Sequence, residues 1–406
     1  MSGIALEDFV AEAKVFLDAN VEPRTEQKFV WGEGPDRVGI LDEKTPEEEA
    51  EELRAAKGWK AKEFDAGFGW ITGPEEYGGR ALDAAYQRAY GEAQSNYAIP
   101  SVAPFSVGLG MVAPTILAHA IPEVRERYLR PLYRGDLVAC QLFSEPAAGS
   151  DLAGIQTRAT RDGDEWVISG QKVWTTLAHR ADWCFVVCRT DPESKSHHGL
   201  SYLLCPVQQP GVEVRPLRQM TGSAEFNEVF FDGARTAKEN VLGPVGEGWK
   251  VAMATLGFER GTAFLSQQLA FEHELAHLLD VAHKNGAAED PVVRDELARS
   301  YAGLQVMKYN GLRMLTGLVH RGTLGPEASI GKLFWTTWHR EFGEVAMDVL
   351  GAEGLEIASN ADGAYELDEL HQVFMASRAE TIYAGSSEIQ RNIIGERVLG
   401  LPREPR

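Results

Sequence analysis

Cysteine is scarce. Four thiols, Cys140, Cys184, Cys188 and Cys205, are spread over 406 residues. That is too few for a disulfide framework and points to a reducing, cytoplasmic setting. No Cys-x-x-Cys spacing is present, and Cys184 and Cys188 share one face of a predicted strand, so buried packing is expected and no metal. His197-His198 lies in a polar loop with no third ligand near it in sequence, which reads as a solvated loop. Basic charge is also short. Forty Lys and Arg against sixty Asp and Glu leave a net charge of -20, which argues against nucleic acid or an anionic membrane as partner. Residues 1–9 have no basic region ahead of an apolar stretch, so no signal peptide is expected. Residues 95–122 carry no charge, but Pro100, Pro104, Pro114 and Pro122 divide them. No apolar run of about 18 residues is left for a membrane span, and a buried helix with its approach loop is expected. Neither a Gly-x-Gly-x-x-Gly run after a strand nor a Walker loop occurs. Gly108 and Gly110 flank Leu109, but the third position is Ala113, so a turn in a buried helical region is expected there.

What is present is the balance of a globular chain, 44% hydrophobic and 25% charged, with length for two or three domains. Residues 1–135 read as helical. Charged helix formers fill 46–62, and a glycine-rich turn at 73–79 separates them from a helix at 82–93. Residues 136–243 read as β. Asp162-Gly163 is a hairpin signal, and strands are predicted at 183–188, 200–206, 212–214 and 228–231, with a polar loop at 191–199. Residues 244–406 read as helical again. Phe271, Leu275, Leu278 and Ala282 recur at helical spacing, as do Trp335, Trp338, Phe342, Val345 and Val349; Asn285-Gly286 ends the first of these helices. The expected fold class is α+β, mainly α: a helical N-terminal domain (1–135), a central antiparallel β domain (136–243) and a C-terminal helical bundle (244–406).

Two stretches carry chemistry. Phe143-Ser-Glu-Pro-Ala-Ala-Gly-Ser-Asp151 is a loop of small residues and backbone donors, suited to an anionic or polar planar ligand. Gly170-Gln-Lys-Val-Trp-Thr-Thr176 places Trp174 on a strand end beside hydroxyls, which suits a flat heteroaromatic cofactor. On these residues alone, a β turn beside a core tryptophan is an equal alternative.

In combination these motifs resemble the acyl-CoA dehydrogenases, a flavoenzyme family. Ser144 to Asp151 matches its Thr/Ser-Glu-Pro-x-x-Gly-Ser-Asp loop, and Gly170 to Thr176 its Gly-x-Lys-x-Trp-x-Thr strand. Gly385-Ser-Ser-Glu-Ile-Gln-Arg391, the ending Ile394 to Gly400, Tyr77-Gly-Gly79 and Phe226-Asn-Glu-Val-Phe-Phe-Asp232 are further matches, in order along most of the chain. The resemblance implies a C-terminal four-helix bundle and an FAD between it and the β domain. It implies that Gln141, Phe143, Ser144, Trp174 and Thr176 hold the flavin ring, that Gly385, Ser386 and Glu388 contact the rest of FAD, and that Ser150 touches the pantetheine of an acyl-CoA.

The implied reaction is α,β-dehydrogenation to the 2-enoyl-CoA. A carboxylate removes the α proton, hydride leaves the β carbon for flavin N5, and hydrogen bonds stabilise the developing enolate. In many members the base directly precedes the Gly-Thr/Ser-Ser run; here that position is Ala384. A second placement, resembling isovaleryl- and long-chain acyl-CoA dehydrogenases, matches Phe258-Glu259-Arg260. It makes Glu259 the base, with Arg260 beside the substrate. Glu259 lies among apolar Leu256, Phe258 and Phe264, where desolvation would raise a carboxyl pKa. The backbone N–H of Ala384 remains available to the thioester oxygen. The Arg and Phe-Gly through which homotetrameric members hold a neighbour's FAD are absent from Val281 to Asp290, and Asp348 to Ala352 lacks the later Gln. In this the chain resembles bacterial members, including those acting on steroid-CoA side chains, that share FAD between unlike subunits. The partners implied are an acyl-CoA substrate, an electron-transferring flavoprotein as acceptor, and either copies of the chain or a paralogue in a heterotetramer. An oxygen-using acyl-CoA oxidase or nitroalkane-oxidase-like flavoenzyme and a non-catalytic partner subunit are the competing readings.

Overall fold

The structure, a computed structural model, describes residues 4–24, 46–194, 196–259, 263–321, 325, 328–356, 358–359 and 365–403. Its described residues divide into two compact units, one of 4–24, 46–217 and 225–258, the other of 218–224 and those from 259 onward.

In the first unit, α1 (Leu6–Asn20) buries Phe9, Ala13 and Leu17, one face at four-residue spacing. They pack with Trp59 of α2 (Pro46–Asp65) and Tyr90 of α3 (Ala84–Gln94). Asp83 caps α3 by accepting the Ala85 N–H at 2.7 Å. The uncharged stretch becomes α4 (Ala113–His119), and α5 (Pro122–Arg134) follows. The turn expected at Gly108 and Gly110 is instead a π-helical segment, Gly108–Val112, that runs straight into α4. Among the described residues no helix is long and apolar enough to cross a membrane.

The sheet follows. Its strands are β1 (Ala139–Leu142), β2 (Arg158–Asp162), β3 (Glu165–Thr176), β4 (Trp183–Arg189), β5 (Leu200–Pro206), β6 (Val212–Leu217), β7 (Phe226–Ala237) and β8 (Val241–Leu242). The order is β6-β7-β3-β2-β4-β5-β8, with β1 beside β4. The β2–β3 hairpin turns at Gly163 as the sequence predicts, with Asp162 opposite Glu165. The sheet is antiparallel except at β4, which meets β1, and β2 at one residue pair, in parallel. The chain between β1 and β4 is long enough to serve as the crossover that a parallel pair requires. Cys140, Cys184 and Cys205 are register neighbours across β1, β4 and β5; all four cysteines are buried and free.

In the second unit α7 (Ala263–Lys284), α8 (Pro291–Arg321), α9 (Ala328–Leu350) and α10 (Glu369–Glu380) form the bundle, with the short α11 (Ser387–Ile393) after it. α6 (Gly248–Glu259) leads into it along the chain. The two predicted apolar stripes make its core: Phe271, Leu275, Leu278 and Ala282 meet Trp335, Trp338, Phe342 and Val349, with Val345 half-buried against them. Gly303 of α8 faces Trp338, where a Cβ would come within 2.4 Å of the indole, so the missing side chain sets the approach of the two helices. The indole N–H of Trp338 donates to the Ser300 carbonyl at 3.0 Å, which satisfies a buried donor.

Candidate functional site

The loop after β1 and the far end of β3 are joined by one buried ion pair. Lys172 Nζ donates to Glu145 Oε1 and to the Phe143 carbonyl, each at 2.9 Å. Glu145 also accepts the backbone N–H groups of Gln156 at 2.6 Å and Thr157 at 2.9 Å. Burial pushes the Glu145 carboxyl up, but the Lys172 cation and these donors outweigh it and hold the pKa below the usual value. Loop and strand are also tied through the backbone, Val173 N–H to Ser144 O at 3.0 Å. Gly170 explains itself here: its φ is +151°, and a Cβ would lie 2.5 Å from Thr157 Oγ1. The glycine lets Thr157, and with it the N–H that holds Glu145, approach β3.

Beyond Lys172 the strand breaks register with β7 before resuming at Thr175. Trp174 occupies this bulge with φ +60°. Lys172, Val173 and Thr175 are buried, whereas Trp174 is 61% exposed and Thr176 half-buried. Phe226 meets the indole edge to face, centroids 6.2 Å apart. Asn227 secures the strand end by donating to the Thr175 carbonyl at 3.0 Å, and its Oδ1 lies 3.1 Å from His179 Nδ1. Thus Phe143, Ser144, Trp174 and Thr176 are brought together. Gln141 is half-buried on β1, and Ser150 is exposed at the loop's end. Asp151 borders a polar depression of about 390 Å³ backed by Arg189.

The second unit assembles the other predicted residues. Ala384 and Gly385 form a turn with φ of 51° and 90°, both left-handed. The Ala384 N–H meets no acceptor among the described residues. Ser386 caps α11, its hydroxyl accepting the Ile389 N–H at 3.4 Å. Glu388 is in the first turn of that helix, where its own backbone N–H and the Ser386 hydroxyl hold its carboxyl below the usual range. Glu259 is the last residue of α6; its side chain and Arg260 lie outside the described residues.

Sequence reasoning missed Glu145, Lys172 and Asn227 as builders of the site. The signal was their place inside the matched motifs, where a charge in a strand otherwise destined for burial needs a buried partner. The residues present fit an FAD. An exposed indole is thrown outward by a bulge beside the Thr176 hydroxyl, which suits a flat heteroaromatic ring with polar edges.

Comparison with known proteins agrees. Three family models match in succession: acyl-CoA dehydrogenase N-terminal domain over residues 6–136, middle domain over 140–234 and C-terminal domain over 246–399. The chain is 46% identical over 359 residues to acyl-CoA dehydrogenase IpdE1 of Mycobacterium tuberculosis, covering 88% of this chain and 91% of that protein. Among solved structures it is similar to the Tcur3481-Tcur3483 steroid ACAD, with 27% identity, a TM-score of 0.72 and coverage of 100% and 99%. It is similar also to the ChsE4-ChsE5 complex of M. tuberculosis, with 27% identity, a TM-score of 0.70 and full coverage of both chains. The chain therefore belongs to the acyl-CoA dehydrogenase family, FAD-dependent oxidoreductases of acyl-CoA thioesters.

Proposed function

We propose that this chain is the base-bearing subunit of a two-component acyl-CoA dehydrogenase that introduces an α,β double bond into a bulky, steroid-derived acyl-CoA. The observation that carries the reading is the turn at Ala384. A left-handed alanine costs about 1–2 kcal/mol relative to an ordinary conformation. That cost is borne here at φ 51°, although the carboxylate often found at this position is gone. Retaining the turn without its side chain makes sense if the backbone N–H is what matters. It donates to the thioester oxygen and stabilises the enolate, while Glu259 removes the α proton. When bound, FAD would supply the acceptor for the two electrons and the hydrogen that leave the β carbon. Phe143, Ser144, Trp174 and Thr176 hold its ring, Gly385, Ser386 and Glu388 its remainder, and Ser150 and Arg260 engage the substrate. Electrons pass on to an electron-transferring flavoprotein. The bulky substrate and unlike partner are supported by the steroid ACAD and ChsE4-ChsE5 likenesses, and by the missing Arg and Phe-Gly.

Glu259→Gln tests the base. Removing a general base typically costs about 100- to 10,000-fold. Single-turnover bleaching of the flavin should slow by that factor, with FAD content and thioester affinity retained. Bleaching at the wild-type rate would place the base elsewhere, and oxygen consumption at the rate of turnover would make the enzyme an oxidase.

A further inference from the structure

α9 carries two buried cations, Lys332 and His339, seven residues or about two turns apart. Both act on the end of α10 and the turn that follows it. Lys332 Nζ donates to the Glu380 carbonyl at 2.8 Å and to the Gly385 carbonyl at 2.9 Å. One ammonium thus ties the last residue of a helix to the far side of the left-handed turn. From the other side, Gln390 Nε2 donates to the carbonyls of Ala384 at 3.1 Å and Gly385 at 3.2 Å.

The anchor under this clamp is itself fixed. His339 Nδ1 lies 2.7 Å from Glu380 Oε2, and its Nε2 lies 2.7 Å from Glu274 Oε2 on α7. All three side chains are buried. Glu380 is therefore held by its carboxylate through His339 and by its carbonyl through Lys332. Within the span from Glu380 to Gly385, the Ala384 N–H is a donor left without an acceptor among the described residues. The planes on both sides of it are anchored, the Tyr383 N–H donating to the Ala379 carbonyl at 3.0 Å before it and the Ala384 carbonyl held by Gln390 after it, which fixes the direction in which it points.

We infer that Lys332 is a positioning residue for enolate stabilisation: by bridging the Glu380 and Gly385 carbonyls it aims the Ala384 N–H at the thioester oxygen. The inference rests on the reading that this amide serves the enolate. Preorganised donors gain their effect by needing no reorganisation when charge develops, so loosening the turn should cost enolate stabilisation more than substrate binding.

The probe is acetoacetyl-CoA, whose α proton is acidic enough to titrate without turnover. Its enolate absorbance, followed against pH in the FAD-loaded holoenzyme, gives the pKa of the bound ligand. Wild type should hold that pKa well below the free value. Lys332→Met keeps the apolar stem and removes the donors. It should raise the bound pKa by about one unit, a tenfold loss of enolate stabilisation, and lower kcat by a similar factor with KM little changed. Lys332→Gln retains an uncharged amide donor group on a shorter stem and should fall between; it supplies the reading should the methionine variant not fold. A variant that binds FAD and acetoacetyl-CoA and gives the wild-type pKa overturns the role of Lys332 while leaving the amide's role intact. A wild-type enzyme that leaves the ligand at its free value overturns the reading of the amide, and the inference with it.

Discussion

Lys172 and Glu145 meet 2.9 Å apart with both side chains buried, and they join the loop after β1 to the strand β3. The lysine is fully buried and also holds the Phe143 carbonyl, so one cation organises a loop and a strand at once. This pair lies within the protein interior. Its place in the motifs is explained by construction of the site.

Breaking this pair should be expensive. Lys172→Met leaves Glu145 as a buried carboxylate without its countercharge, which typically costs about 3–5 kcal/mol. Thermal unfolding should show a large drop in Tm and loss of bound flavin. Glu145→Gln in the Lys172→Met background should recover part of it, because the stranded charge is then gone. A melting curve unchanged by Lys172→Met would contradict the account.

The His339 cluster makes stability depend on pH in a definite direction. Burial alone would push the imidazole down, but the carboxylates of Glu274 and Glu380 outweigh it and raise the pKa from 6.5 to about 10. The folded value lies above the unfolded one. The stabilisation is therefore complete below 6.5 and is lost as pH rises through about 10. His339→Gln should lower Tm most at mildly acidic pH, and the gap from wild type should narrow as pH is raised across this window. A constant gap would show that His339 does not titrate as the geometry demands.

Trp174 and Thr176 should answer to ligand more than to fold. The Trp174 indole is 61% exposed, and alanine meets the same φ of +60° as tryptophan does, so the substitution should change stability by no more than about 0.5 kcal/mol. Trp174→Ala should leave the apoprotein's melting nearly unchanged while weakening FAD retention on dialysis. Thr176→Ala should perturb the visible spectrum of the bound flavin. Retention and spectrum both unaltered would remove these residues from the flavin site.

Assembly can be read from flavin stoichiometry. Co-expression with a paralogous subunit should give a stable complex holding one FAD per pair of unlike chains, and the chain alone should lose FAD readily. A homotetramer with one tightly held FAD per chain would show that other residues replace the missing Arg and Phe-Gly.

The bundle was legible because its stripes are long and periodic: Phe271 to Ala282 and Trp335 to Val349 bury the faces their spacing predicts. Strand centres were legible too, and β5 matches residue for residue. The parallel seating of β1 was not, because pairing partners distant in sequence leave no local mark. In the site, the exposure of Trp174 was legible only through resemblance. Alternation would place residues 172 and 174 on one face, and only the bulge separates a buried lysine from an exposed indole. Lys332 and His339 escaped notice because helical periodicity counts charges as surface, and here two of them lie inside.

The four cysteines have a use that catalysis does not touch. Burial holds the thiols of Cys140 and Cys188 above their ordinary pKa, that of Cys188 at about 12, and Cys184 is raised as well. All four thiols are also buried, so alkylating reagents find nothing to attack while the sheet is closed. Three of these thiols sit on adjacent strands and the fourth farther along β4, so they come into reach only when the sheet comes apart. The chain carries its own silent label: the rate at which alkylation proceeds clocks the opening of the β-sheet without needing any signal from flavin or substrate.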